Sequence, residues 1–167
     1  MERFNFEQHG LEGWTSVDGQ WGVEAMAGAP SGQRVLVQRA VENAFNVMVA
    51  PSASYTDVDG TVQLKPMTGR DNAAGGIVVR FAEGHDYVVR ATALEHNVRL
   101  YAYERGRHQL ATARVQPPVR GQWHTIRVAV GEHIQASLNG VLLLDHRDAL
   151  SRRPGWPVDE GRLYNGL

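Results

Sequence analysis

Two stretches of the chain carry side chains suited to recognising a polyhydroxylated molecule. In VVRATALEHNVRLY, Arg90, Arg99 and Tyr101 are interleaved with apolar residues, and in WHTIRVAV the same is true of Trp123 and Arg127. Strand alternation would send these residues to the face opposite the apolar ones. Guanidinium groups donate in fixed planar forks to hydroxyl or carboxylate oxygens, while Tyr and Trp rings stack on apolar sugar faces. Arg90, Arg99, Tyr101, Trp123 and Arg127 are therefore the expected substrate-binding residues, displayed on a concave sheet face. An ordinary solvated outer face of an antiparallel sheet would show the same alternation.

Hydrolysis of a glycosidic bond needs two carboxyl groups flanking it, one as acid and one as nucleophile or base. Asp57 and Asp59 alternate on one strand face, but at a strand start, where a surface aspartate pair is the ordinary reading. Glu83, Asp86 and Glu95 fall in or beside expected turns, with His85 and His96 as neighbours. Turns on a rigid sheet often mount functional groups, yet His85 and Asp86, being adjacent, would point to opposite faces of a strand. No catalytic residue is assigned. Seven histidines are present without an H-x-H or H-E-x-x-H pattern, and no D-x-[DN]-x-[DN]-G loop occurs, so no metal site is expected from the motifs. Neither a G-x-S-x-G elbow nor a glycine-rich phosphate loop opening a helix is found.

The elements that would position these residues are strands. Short alternating or β-branched runs separated by Gly, Asn and Asp occupy Arg3–Glu7, Trp21–Ala25, Arg34–Gln38, Asn46–Ala50, Asp57–Lys65 and Gly76–Phe81. They continue at Tyr87–Leu94, Val98–Glu104, His108–Val115, Trp123–Val130, Ile134–Leu138 and Val141–Asp145. Such spacing predicts an all-β sandwich or barrel. Asn139-Gly140 suits a type I′ turn, pairing Leu138 with Val141, Ala136 with Leu143 and Ile134 with Asp145. A three-residue connection, Gly131-Glu132-His133, aligns Val130, Val128 and Ile126 with Ile134, Ala136 and Leu138. A Glu95-His96 turn sets Arg90 across from Tyr101 and Thr92 across from Arg99.

The run GGIVVRFAEGHDYVVRATALEHNVRLY, Gly75 to Tyr101, resembles the central segment of small bacterial domains with a concanavalin A-like jelly roll. Gly121-Gln122-Trp123, the Asn139-Gly140 hairpin, Gly19-Gln20-Trp21-Gly22-Val23 and Val35-Leu36-Val37-Gln38 are similar to further segments of that pattern. The resemblance spans most of residues 3–145 and takes in laminin-G-like, family-16-glycosidase-like and 3-keto-disaccharide hydrolase-like domains. It implies a jelly-roll β-sandwich of two antiparallel sheets and a carbohydrate-oriented function, glycan binding first. The alternatives are an atypical hydrolase of the 3-keto-disaccharide type and a non-catalytic protein-interaction module. It also implies an extracytoplasmic setting, and it leaves room for a structural calcium although no cofactor is expected. The E-x-D-x-x-E pattern of family 16 enzymes is absent.

Composition narrows the classes further. The 167 residues carry 17 Lys+Arg against 18 Asp+Glu, a balance that lacks the basic footprint of a nucleic-acid binder. Lys65 is the only lysine, so lysine chemistry has one place to act, and the absence of cysteine excludes disulfides and thiolate chemistry. No apolar run approaches the ~18 residues of a membrane helix. Residues 1–145 read as the jelly roll and 146–167 as an irregular Pro/Arg/Gly-rich tail of the same domain. The jelly roll's usual closing strand is not evident in that tail. Its absence would leave an open edge beside Phe4–Glu7 and invite self-association.

Overall fold

A computed structural model describes residues 2–41, 45–51, 57–68, 73–82, 85–150 and 164–166. No helix occurs among them, and none is therefore long and apolar enough to cross a membrane. Strands in chain order are β1 (Thr15–Asp18), β2 (Trp21–Ala25), β3 (Arg34–Gln38), β4 (Val47–Val49), β5 (Val58–Leu64), β6 (Ala74–Ala82) and β7 (His85–Thr92). They are followed by β8 (Asn97–Glu104), β9 (Arg107–Arg114), β10 (His124–Val130), β11 (His133–Leu138), β12 (Val141–Arg147) and β13 (Tyr164–Gly166). A seven-stranded antiparallel sheet runs β1-β4-β13-β6-β7-β8-β9, and a four-stranded one runs β12-β11-β10-β5. β2 and β3 form a separate hairpin.

The core lies between the two larger sheets. Ile77, Val79, Tyr87, Val89, Ala91, Val98, Leu100 and Ala102 from β6–β8 pack against Ile126, Val128, Val130, Ile134, Ala136, Leu138 and Leu144 from β10–β12. These are the apolar members of the alternation, so burying them forces the intervening residues of each sheet outward, onto opposite sides of the sandwich.

Register follows the expectation closely where turn chemistry is strong. Val130, Val128 and Ile126 face Ile134, Ala136 and Leu138, and Asn139 and Gly140 both take the positive φ of a type I′ turn. A bulge between Ala136 and Ser137 then moves Ala136 opposite Leu144 and Ile134 opposite His146, one residue beyond the expected partners. The β7–β8 connection spans Ala93 to His96 rather than Glu95-His96 alone. It sets Arg90 opposite Arg99 and Val88 opposite Tyr101. That shift of two residues preserves every facing, because the period of a strand is two.

The chain ends depart from expectation. Arg3–Glu7 is not a strand. The Asn5 side-chain oxygen accepts the Glu7 N–H at 3.2 Å, Phe6 takes φ +63°, and the Phe4 and Phe6 rings both pack on Trp14. Glu7 Oε1 accepts the backbone N–H groups of Gln33 and Arg34 at 2.8 and 2.7 Å, pinning this segment to the start of β3. At the other end β12 reaches Arg147, and Tyr164–Gly166 pairs with both β4 and β6 inside the seven-stranded sheet. A strand thus fills the place expected to be vacant, and among the described residues Phe4–Glu7 forms no strand edge. The rest of the expected tail, 151–163, falls outside the described residues, as does Glu83.

One polar clasp joins the sheets. Simple alternation would place Arg80 on the outer face beside Val78. Instead a register shift between Val79 and Ala82 and a φ of +51° at Arg80 redirect it. Arg80 Nη1 meets Asp148 Oδ2 at 3.1 Å, and Nη2 donates to the Gly131 carbonyl at 3.2 Å. The buried Tyr87 hydroxyl donates to Asp148 Oδ1 at 2.6 Å.

Candidate functional site

The outer face of the seven-stranded sheet has an apolar floor. Val47, Val49, Val78, Val88 and Tyr101 are buried there, bordered by Phe45, Phe81 and Tyr103. The floor comes from the residues of β4, β6, β7 and β8 that alternate with the core set. Toward the β7–β8 connection it is flanked by charge. Arg99 Nη1 donates to the Tyr101 hydroxyl at 3.1 Å. Arg90 and Arg107 hold their guanidinium carbons 5.7 and 5.2 Å from the Tyr101 ring centre.

Arg90 and Arg99 face each other across the strand pair, a like-charge arrangement that is unfavourable by itself. Glu95 relieves it: its Oε2 lies 3.5 Å from Arg90 Nη2 and 3.2 Å from Arg99 Nη2. The Tyr101 hydroxyl first, and then the Tyr101 and Glu95 charges, hold Arg99 more firmly protonated than an ordinary arginine.

At the other end of β7, Asp86 sits opposite Tyr103 on the same outer face. It is 5% exposed, and its Oδ1 has no hydrogen-bond partner. Burial pushes its carboxyl up to about 6, against a smaller lowering influence of His85. Burial likewise raises the Tyr103 phenol, more than nearby Arg107 lowers it.

The Asp86 shift has a sign for stability. A carboxyl whose folded pKa lies above its unfolded one contributes stability that is present below the unfolded value and lost as pH rises through about 6. Asp86→Asn is therefore expected to raise the unfolding free energy at pH 7 by roughly 2 kcal/mol, with little effect at pH 3.5. Urea unfolding of both proteins at the two pH values measures this.

Of the five expected binding residues, the fold brings Arg90, Arg99 and Tyr101 together and sends the other two elsewhere. Trp123 precedes β10, donates its indole N–H to the Gly28 carbonyl at 2.7 Å, and lies 5.8 Å from the Lys65 ammonium. Arg127 is on the outer face of the four-stranded sheet, where its Nε and Nη2 bind both oxygens of Asp59 at 2.7 and 2.6 Å. The single face expected for all five does not form, because outward directions on the two sheets diverge.

The four-stranded sheet carries an open groove of about 640 Å³ lined by Asp57, Asp59, His133, Gln135 and Asp145. Its polar groups largely satisfy one another. Asp59 is held by Arg127, and Asp145 is bonded to His133 at 2.5 Å and Gln135 at 2.9 Å. The Gln135 bond first, and then His133, lowers the Asp145 carboxyl. The contrast with the other sheet is informative: Asp86 Oδ1, Arg90 Nε and Glu95 Oε2 are all buried there without a well-aligned hydrogen bond. Buried polar atoms are ordinarily satisfied, and exceptions mark functional places.

The sequence sets Asp86 and Glu95 in or beside turns, and Glu95 does lie in the β7–β8 connection. Asp86 is instead a strand residue sharing the outward phase of Val88 and Arg90, a signal legible in HDYVVR. The bridging role of Glu95 depends on the longer connection and was not legible.

On the outer face of the seven-stranded sheet, Asp86 and the Glu95 cluster occupy opposite ends of β7. Asp86 and Arg90, the near end of the Glu95 cluster, are four residues apart along β7, roughly 13 Å at the rise of a strand. Glycosidase pairs stand about 5–10 Å apart. Asp57 and Asp59 line the opposite side of the sandwich. Among the described residues no three His, Asp or Glu side chains gather to hold a metal ion.

No protein-family model and no curated protein sequence matches the chain. Solved structures do. A carbohydrate-binding module, CBM66 from Bacillus subtilis, superposes with a TM-score of 0.70 at 18% identity, covering 93% of this chain and 87% of that one. The fold is a concanavalin A-like jelly roll. A Bacillus subtilis protein of unknown function with a galectin-like fold matches at TM-score 0.60 and 12% identity over 94% of this chain and 84% of that one. The potassium-bound carbohydrate recognition domain of Emp46p matches this jelly roll at TM-score 0.60 and 10% identity, covering 99% and 84%.

Proposed function

We propose that the chain is a carbohydrate-binding domain that engages its ligand on the outer face of the seven-stranded sheet, over Tyr101. The observation that carries this reading is an aromatic and apolar floor around Tyr101 bordered by the Arg90–Glu95–Arg99 cluster, with Asp86 Oδ1 and Arg90 Nε buried without a hydrogen-bond partner among the described residues. Sugars match such a surface: their hydroxyls satisfy guanidinium and carboxylate groups while their C–H faces cover rings. The named functions of the similar structures, a carbohydrate-binding module and a carbohydrate recognition domain, support the same class. Binding is favoured over hydrolysis because the carboxylates on this face are not spaced as a glycosidase pair.

The test is isothermal titration against cellobiose, lactose, sucrose and a galacturonic acid dimer, with turnover of each followed in parallel. Saturable binding without turnover is expected for at least one. Arg99→Ala and Tyr101→Ala are each expected to weaken it tenfold or more, about 1.4 kcal/mol, and Arg127→Ala less than twofold. No binding across the panel, or equal sensitivity to Arg127→Ala, overturns the reading.

A further inference from the structure

We propose that Asp86 is a ligand-contacting residue of this glycan site, its carboxylate accepting hydrogen bonds from sugar hydroxyls. The inference rests on the binding reading above and assigns to that site a second end. Asp86 is only 5% exposed, yet Oδ1 has no hydrogen-bond partner among the described residues. Burying an ionisable carboxyl without a hydrogen bond is costly, and the fold offers no structural return for it: Asp86 joins none of the ion pairs that tie strands or sheets together.

Its position suits a ligand. Asp86 lies directly opposite Tyr103 and diagonal to Tyr101, about 7–8 Å away by sheet geometry. Asp86 and Arg90 share the outward phase of β7 with Val88 between them. A saccharide lying along β7 over Val88 and Tyr101 would meet an acceptor at one end and the Arg90–Glu95–Arg99 donors at the other. The roughly 13 Å between those ends fits a chain of at least two sugar rings better than a monosaccharide.

The assignment makes binding acid-sensitive, because only the ionised carboxyl accepts on both oxygens. With the carboxyl at about 6, most of its charge is present at pH 7.5 and little remains at pH 5. Tyr103 of β8 lies directly opposite it, Arg107 of β9 and Tyr101 act on that Tyr103, and His85 adjoins it on its own strand. Phe81 of β6 adds no charge.

The experiment titrates the tightest binder of the four-saccharide panel into wild type and Asp86→Asn between pH 5 and 8. Wild-type affinity is expected to fall about tenfold from pH 7.5 to pH 5. Asp86→Asn is expected to bind at least tenfold more weakly at pH 7.5, with a flat profile, while remaining folded and no less heat-stable. A purely structural Asp86 would leave affinity unchanged in the variant. Asp86→Asn that binds like wild type, or that retains the acid-side loss, overturns the inference. If those results come with full sensitivity to Arg99→Ala and Tyr101→Ala, the binding reading stands and only the role of Asp86 falls. A panel that shows no binding at all overturns both.

Discussion

Asp148→Ala is expected to destabilise the protein by about 3–5 kcal/mol, the largest effect of any single side-chain truncation considered. The Asp148 side chain is fully buried and the Arg80 side chain it pairs with is 16% exposed. Removing the carboxylate takes from a mostly buried guanidinium its 3.1 Å ion pair, leaving the Gly131 carbonyl and Asp57 at 3.9 Å, and removes the Asp148 acceptor of the core Tyr87 hydroxyl. The loss is concentrated because this triad bridges the seven-stranded sheet to the end of β12, where the Asp148 N–H also donates to the Glu132 carbonyl at 2.9 Å. Tyr87→Phe removes one hydrogen bond but leaves the ion pair, so about 1–2 kcal/mol is expected for it. Equilibrium urea unfolding measures both. An Asp148→Ala protein less than 1 kcal/mol weaker than wild type would show that the clasp is incidental.

Gly76→Ala is expected to cost about 3 kcal/mol, the upper part of the range for overpacking. A Cβ at this position would stand 2.0 Å from the carbonyl oxygen of Val89. That neighbour is backbone in the centre of β7, so relief requires the β6–β7 pair to separate, moving Arg90, the register partner of Gly76. Two controls isolate the cause. At Gly75 the added methyl meets only the Leu64 side chain, 2.9 Å away at its nearest atom and able to shift, so a smaller loss is expected. At Gly22 in β2 nothing lies within 4 Å, and alanine there should be neutral or slightly stabilising. Thermal unfolding of the three variants should rank Gly76→Ala well below the other two. Equal melting temperatures would contradict the close approach.

How much of this was readable beforehand depended on whether local chemistry or distant contact decided the outcome. The β10–β11 register was legible because only one connection length buries Val130, Val128 and Ile126 together, and Asn139-Gly140 marked the turn from β11 to β12. Phase along β7 and β8 was legible too, which is why Arg90, Arg99 and Tyr101 were grouped correctly despite a two-residue error in their pairing. Trp123 and Arg127 were misgrouped with them because alternation reports which side of a strand a residue occupies, but not which sheet the strand joins. The placement of Arg80 was not legible, for a different reason. A bulge with positive φ at an arginine leaves no local signature, and its partner Asp148 is 68 residues away. Phe4 and Phe6 alternate like strand residues, yet Trp14 offered them a better surface. Tyr164–Gly166 is too short to announce itself, and its strand character comes from the vacancy between β4 and β6.

The central claim, that the outer face of the seven-stranded sheet is the binding surface, is tested most directly by mapping amide chemical-shift changes while the tightest binder of the saccharide panel is titrated in. The account predicts that the largest shifts cluster at Asp86, Val88, Arg90, Arg99, Tyr101 and Tyr103, with Arg127, Gln135 and Asp145 nearly silent. Shifts concentrated instead along β10–β12, over the groove of Asp59, His133 and Asp145, would contradict it.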